Sequence, residues 1–494
     1  MFKDQRGVFL NIIKWFILST AIGAIVGVAA AAFLFILDHS ISTTTSFPFY
    51  YVGLPFVFIL TSFLSKRVFP KDTDFSTDAA INKINAYKPI SLISAAKAFF
   101  LPVLTISAGG SAGKEAPCAD VGAGLASFSA RLLKLSNEDR RKLMICGVSA
   151  GFAGVFGVPI SGAIFGLEVL WVGYIFYEVM FPALVAGITA YQVTSALGVT
   201  YIYHPIPVVP VFTEGFFLKI LFAGLFFGLI SLLFIEIMKL FRVVFRYISI
   251  KFSFFWKAFT GGAILVAVGL LLSPEFLGLG MEETNAILHG SAEPSFALGS
   301  LFKMITTAIT FSAGGVGGIV TPIFFIGSQA GAVLGEFLQI DPATVAALGV
   351  VAVLAGATNA PLASSIMAIE LFGPQIAPYA AVCCVISFLV TGQRSVFAKQ
   401  RVSFDKTISD PELAVSHTHR KRMPVKKASF LKLAKHLIPQ EENQHKYVKR
   451  KKESGNSSAA AEKTGEKEIS KSIFKHLMPK FKEQEQNVDK DEKK

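Results

Sequence analysis

The sequence predicts an all-α integral membrane protein, with many tilted and broken helices arranged as two halves of inverted topology. Three observations lead there. The 494 residues are 52% hydrophobic and only 16% charged, with a mean hydropathy of +0.55. Apolar runs recur at 52–64, 259–272 and 348–367 without a charge, and at 9–36 and 216–238 with only Lys14, Lys219 and Glu236, and a helix needs roughly 20 apolar residues to span a bilayer. Glycine and proline cut these runs into uneven pieces, which membranes tolerate where the break is buried in protein or lines a cavity. Finally, the chain repeats two motifs in the same order. "SAGGSAGKEAP" at 107–117 returns as "SAGGVGGIVTP" at 312–322, offset by 205 residues. "GVPISGAIFGLEV" at 157–169 returns as "NAPLASSIMAIEL" at 359–371, with Pro159 and Glu168 matched by Pro361 and Glu370 at an offset of 202.

Taken in order, the N-terminus carries Lys3 and Arg6 before a run too long for a signal-peptide core. It reads as a first membrane helix with its start in the cytoplasm, by the positive-inside rule. Arg131, Lys134, Arg140, Arg141 and Lys142 mark a second cytoplasmic loop. The glycine turns that open each repeat let the backbone bend sharply and let an ion approach its N–H groups. A helix that starts there offers free N–H donors and partial positive charge, which suits an anion. Inverted repeats place substrate at such broken ends near the bilayer midplane. Close helix packing by small residues is the alternative use of scattered glycines, but it accounts less well for two clustered turns that each end in proline.

Several functions are excluded. A phosphate loop needs glycine where Ala108 stands and Ser or Thr where Glu115 stands. No HExxH motif and no Asp pair within the spans suggests a hydrolase, so the chain does not read as an enzyme. Cys118, Cys146, Cys383 and Cys384 fit neither a metal site nor a disulfide pattern and read as buried apolar residues. Residues 401–494 hold 23 Lys and Arg against 14 Asp and Glu, a net +9 of the total +13. That composition predicts a solvated basic cytoplasmic tail, largely disordered. It contains its own repeat, "AKHLIPQ" at 434–440 and "FKHLMPK" at 474–480. These are two short amphipathic segments that could lie on an anionic membrane surface. Nothing accompanies the tail's charge that would mark a nucleic-acid-binding fold.

Over about residues 10–400 the motifs resemble those of the CLC family of chloride channels and chloride/proton antiporters, in the prokaryotic form without CBS domains. "GKEAP" at 113–117 looks like the family's GREGP-type motif, and "GGIVTP" at 317–322 like GGxFxP. "GVPISGAIFGLEV" and "GQRSVFAKQ" (392–400) resemble later segments, and "STDAAI" (76–81) sits where the family has GSGIP. The resemblance implies a homodimer with one anion pathway per subunit and no metal or cofactor. It also implies a gate at Glu115, whose carboxylate would compete with chloride. The N–H groups of Ile319 and Val320 would hold the central anion, beside Gly113. Thr77 would stand in for a coordinating serine, and Phe397 for a frequent tyrosine. Lys114 would draw anions to the entrance or snorkel to the surface.

Ala116 replaces the family's usual glycine after the gate. Val169 falls where antiporters carry a proton-transfer glutamate, with Glu168 one residue earlier. Valine cannot shuttle a proton, so gated passive conduction of chloride is the primary reading. Proton-coupled exchange through another group or a water chain is the alternative, and a non-transporting membrane scaffold is the second. Asp120 reads as a helix-surface charge, and Glu370 as a group that faces water or pairs at a helix end. The lack of CBS domains suggests a bacterial inner membrane, with both termini cytoplasmic.

Overall fold

A computed structural model of the chain describes residues 2–65, 76–201, 203–206, 213–291, 298–403 and 406. The tail repeats at 434–440 and 474–480 lie outside these residues. The first half holds α1 (Phe2–Thr45), α2 (Leu54–Phe63), α3 (Thr77–Asn85), α4 (Leu92–Ser107), α5 (Glu115–Leu132), α6 (Asn137–Phe156), α7 (Pro159–Glu168) and α8 (Tyr177–Ala196). The second holds α9 (Glu214–Lys251), α10 (Phe254–Leu271), α11 (Met281–Leu288), α12 (Gly299–Ala313), α13 (Val320–Leu338), α14 (Pro342–Thr358), α15 (Pro361–Phe372) and α16 (Ala377–Val390). Five helices are long and apolar enough to cross a membrane: α1, α8, α9, α10 and α13. Among the described residues the strands are Trp171–Val172 (β1) and Arg401–Val402 (β2), paired in parallel.

Some elements differ from the runs that predict them. The apolar run at 348–367 is not one helix. Asn359 takes a left-handed conformation (φ 59°) and Pro361 opens α15, because proline fits the first turn of a helix and has no N–H to continue the previous one. Residues 400 and 401 are packed against the helices. Arg401 donates to the Asn85 carbonyl at 2.8 Å, and Gln400 donates to the carbonyls of Val169 (2.8 Å) and Thr358 (2.7 Å). All four cysteines are buried and free.

Reciprocal contacts relate the two halves. In a two-fold arrangement, any contact between one residue and a second residue's mate recurs with the roles exchanged. Gly122 faces the carbonyl of Gly147, and Gly147 that of Gly122, so a side chain on either would strike backbone. Gly327 and Gly349 stand in the same relation. This lets α5 and α6 pack closely, and α13 and α14 likewise. Glu168, at the end of α7, accepts the N–H groups of Leu362 (3.1 Å) and Ala363 (2.8 Å) at the start of α15. Glu370, near the end of α15, accepts those of Ile160 (2.9 Å) and Ser161 (2.8 Å) at the start of α7. Each helix therefore caps the other's first turn, satisfying N–H groups that have no partner inside the helix. The start of one meets the end of the other, so α7 and α15 run in opposite directions. Corresponding helices of opposite direction are what inverted topology means.

The basic turn and both ends of the packed chain share one end of the molecule. Lys14 pairs with Asp139 at 2.7 Å, and Arg140 donates to the Tyr87 carbonyl at 2.8 Å. Nearby, Asn85 donates to Leu170 at 3.0 Å and accepts Arg401.

Candidate anion site

The site is built on the duplicated glycine turn. Helix α4 ends at Ser107, and Gly109 (φ 95°) turns the chain so that the Gly110 N–H returns to the Thr105 carbonyl at 2.9 Å. Helix α12 ends at Ala313, Gly314 (φ 135°) turns it, and the Gly315 N–H returns to Thr310 at 2.9 Å. Such φ values suit glycine. The turns are then tied together. Ser111 N–H donates to the Thr310 hydroxyl (3.1 Å), while Val316 N–H donates to that of Thr105 (3.0 Å). Gly113 and Gly318 exchange both backbone hydrogen bonds, at 2.6 and 2.7 Å. From this joint α5 begins at Glu115 and α13 at Val320.

Glu115 is buried, with 1% of its surface exposed. Its carboxylate reaches over the start of α13. Oε1 accepts the Val320 N–H at 2.6 Å, and Oε2 accepts the Thr321 hydroxyl at 2.7 Å. A Cβ on Gly113 or Gly318 would strike this carboxylate, so glycine at both places lets it seat here. An acceptor with negative charge thus occupies the donor end of a helix, the position an anion would take.

Beneath the carboxylate lies a cavity of about 20 Å³. About 10–15 Å³ on this measure holds one water, so the space suits one water-sized species. Thr77, Ala80 and Ile81 line it from α3, whose first turn is capped by Ser76 through the Ala79 N–H (3.1 Å). Ala116, Ala119 and Asp120 line it from α5, and Ile319 and Val320 from the start of α13. Phe152 and Phe165 also line it and stack with centroids 4.1 Å apart. Val169 and Phe397 complete the wall. Three helix starts, those of α3, α5 and α13, converge here, a field that favours negative charge.

The structure therefore brings together Glu115, Thr77, Ile319, Val320, Phe397 and Val169. Gly113 does not line the cavity, and its N–H is taken by the Gly318 carbonyl. Lys114 caps α5 half-buried and does not line it either. Glu168 points to α15 rather than into the cavity, and Glu370 pairs at a helix end, one of its two expected places. Asp120 corrects the reading of a surface charge. It is 8% exposed and faces the cavity, because α5 is buried without a break from Glu115 to Gly124. Thr321 was not singled out by its motif. Its only signal is its place beside Val320, which the 205-residue offset pairs with Glu115.

Residues 56–392 match the family model described as "Voltage gated chloride channel". The chain belongs to the CLC family. This CLC chain is 36% identical over 413 residues to a "Chloride/fluoride channel protein" of Pseudomonas syringae pv. tomato, covering 82% of this chain and 90% of that one. It is 27% identical to an uncharacterized protein of Methanocaldococcus jannaschii, over 80% of this chain and 97% of the other. Among solved structures, a CLC-type fluoride/proton antiporter aligns with a TM-score of 0.73 and 28% identity, covering 80% of this chain and 99% of that one. A slow cyanobacterial Cl⁻/H⁺ antiporter shares the fold, with a TM-score of 0.66 and 20% identity over 76% and 94% of the two chains.

Proposed function

We propose that this CLC protein moves a small halide, chloride or fluoride, through the cavity beneath Glu115, and that Glu115 is the gate. One observation carries the reading: an acidic side chain is seated on the α13 N-terminus, where a halide would bind. Glu115 and the halide compete for the same donors. Protonation weakens the carboxylate as an acceptor and removes its charge, so the side chain leaves and the anion enters. The names of the Pseudomonas relative and of the fluoride/proton antiporter support the substrate class.

Gated passive conduction is the mode we favour. The wall at the expected proton-transfer position is Val169, and the neighbouring Glu168 is engaged as a helix cap. Proton-coupled exchange is the second reading, favoured by a second acid in the cavity wall, Asp120. We further propose a homodimer with one pathway per subunit, held in a bacterial inner membrane with both termini in the cytoplasm. The exposed apolar side chains Ile160, Tyr177, Phe181 and Leu362 on α7, α8 and α15 suit a subunit contact within the bilayer. We also carry forward the division into a transport domain through about residue 400 and a basic tail.

The test of the gate is Glu115→Gln in proteoliposomes, with halide efflux read by an ion-selective electrode. Wild-type efflux should quicken as pH falls. The variant should be faster than wild type at neutral pH and flat with pH. A variant that keeps the wild-type pH profile would overturn the gate.

A further inference from the structure

The surroundings of Asp120 are unusual for a carboxylate. It is 92% buried by the 8% that remains exposed, and it lines the anion cavity. Among the described residues no hydrogen-bond donor or cation reaches its oxygens. Buried charges are ordinarily paired, because an isolated carboxylate in an apolar medium is very costly, and acids inside a membrane are rare and usually functional. A permeating halide would add like-charge repulsion. An acid that carries a proton avoids both penalties.

The ionisable groups that face Asp120 are few. Glu115 lines the same cavity from its own helix, and Asp78 on α3 is the nearby charge that acts on Asp120 electrostatically. Helix α6 presents Val148 and Phe152, α7 presents Phe165, and the segments beyond present Val169 and Phe397. Asp78 in turn accepts the Lys399 N–H at 3.1 Å, next to the chain end that packs against Asn85. Helix α5 runs from Glu115 toward the basic turn at 131–142. Asp120 is five residues along it, so about 7.5 Å nearer that end at 1.5 Å per residue. Both acids line the one cavity, which has room for a water.

We propose that Asp120 is the proton-transfer group that supplies Glu115 from the basic-turn end of the protein. The step is balanced. The O–H bond of neutral Asp120 breaks, its proton passes to a water in the cavity, and that water gives one of its own protons to a Glu115 oxygen. Glu115 is then neutral and released from Val320 and Thr321. Asp120, left as a carboxylate, recovers a proton from bulk water on the side of Asp78. This inference rests on Glu115 being the gate, and it applies whether the transport is passive or coupled.

The experiment uses the full chain in proteoliposomes and compares halide efflux across pH in four proteins: wild type, Asp120→Asn, Asp120→Glu and the Glu115→Gln/Asp120→Asn double variant. Loss of a positioned proton donor should slow acid-activated efflux on the order of 100-fold in Asp120→Asn. Asp120→Glu should restore most of it. In the Glu115→Gln background no carboxylate awaits the proton, so the penalty of Asp120→Asn should vanish, which also demonstrates a folded, conducting protein. A wild-type profile in Asp120→Asn overturns the inference. So does an equal loss or gain of efflux in both backgrounds, which would mean that Asp120 acts on the halide or on the packing. The single Glu115→Gln variant judges the gate separately, so the two failures are distinguishable.

Discussion

Glu168→Gln is the sharpest test of how the carboxylates divide their labour. Glu168 is the acid that sequence position places nearest to a proton-relay role, and the structure uses it otherwise. Its two oxygens accept two N–H groups at the start of α15, at 3.1 and 2.8 Å. Glutamine has the same shape but one acceptor oxygen. Its amide group would face the second N–H, donor against donor. The loss is one charge-assisted hydrogen bond, about 1.5–3 kcal/mol. The favourable interaction of a negative charge with the helix start is also lost, about 0.3–1 kcal/mol. The sum is about 2–4 kcal/mol of stability. Glu370→Gln makes the same change at α7, but Glu370 is less deeply buried than Glu168, so water can take the freed N–H and the cost should be about 1 kcal/mol. Denaturant unfolding of the purified protein in detergent, followed by tryptophan fluorescence, reads the two stabilities. Halide efflux in proteoliposomes reads function. Glu168→Gln should be clearly the less stable of the two and keep the wild-type pH profile. Unchanged stability with a lost acid response would refute the reasoning, because Glu168 would then be handling protons rather than capping a helix.

Two further outcomes follow from the same geometry. Thr321→Val removes one of the two groups that hold Glu115 in place, worth about 1.4 kcal/mol and so roughly tenfold in the open fraction. Efflux at neutral pH should rise by that order, while Thr321→Ser stays near wild type, and a Thr321→Val protein slower than wild type would contradict a holding role. If the subunits pair, light scattering in detergent should give a protein mass of about twice 53.3 kDa, and a single-chain mass at all concentrations would sink the dimer.

The long runs at the N-terminus and at 216–238 were legible because a bilayer demands length and apolarity together. The break at Asn359–Pro361 was harder, since the residues on both sides are equally apolar and only one proline marks the change. The duplicated motifs were legible as a repeat, yet their contacts were not. The Glu168 and Glu370 caps cross between halves separated by about 200 residues, and periodicity reports only local neighbours. Asp120 was misread for a related reason. A charge is assigned to the solvent side when a helix has one, and the stretch of α5 from Glu115 to Gly124 has none. The sequence pattern could identify an acid in a membrane helix, but only packing shows that no partner meets it.

The asymmetry of the two glycine turns follows from their symmetry. The offset of 205 pairs Glu115 with Val320, and the Gly113–Gly318 exchange places the two turns back to back. Glu115 bonds the N–H of its own symmetry mate. A carboxylate at both positions would bring two negative charges to one joint, and like charges that close cannot both remain ionised. One would have to hold a proton even when no halide is present, and the gate would no longer report the proton supply. On the proposed mechanism, a single acid facing an apolar mate leaves one group whose protonation decides whether a halide can take the α13 N-terminus. The proposed second acid of the pathway lies off the joint but on the same cavity, where Asp120 stands.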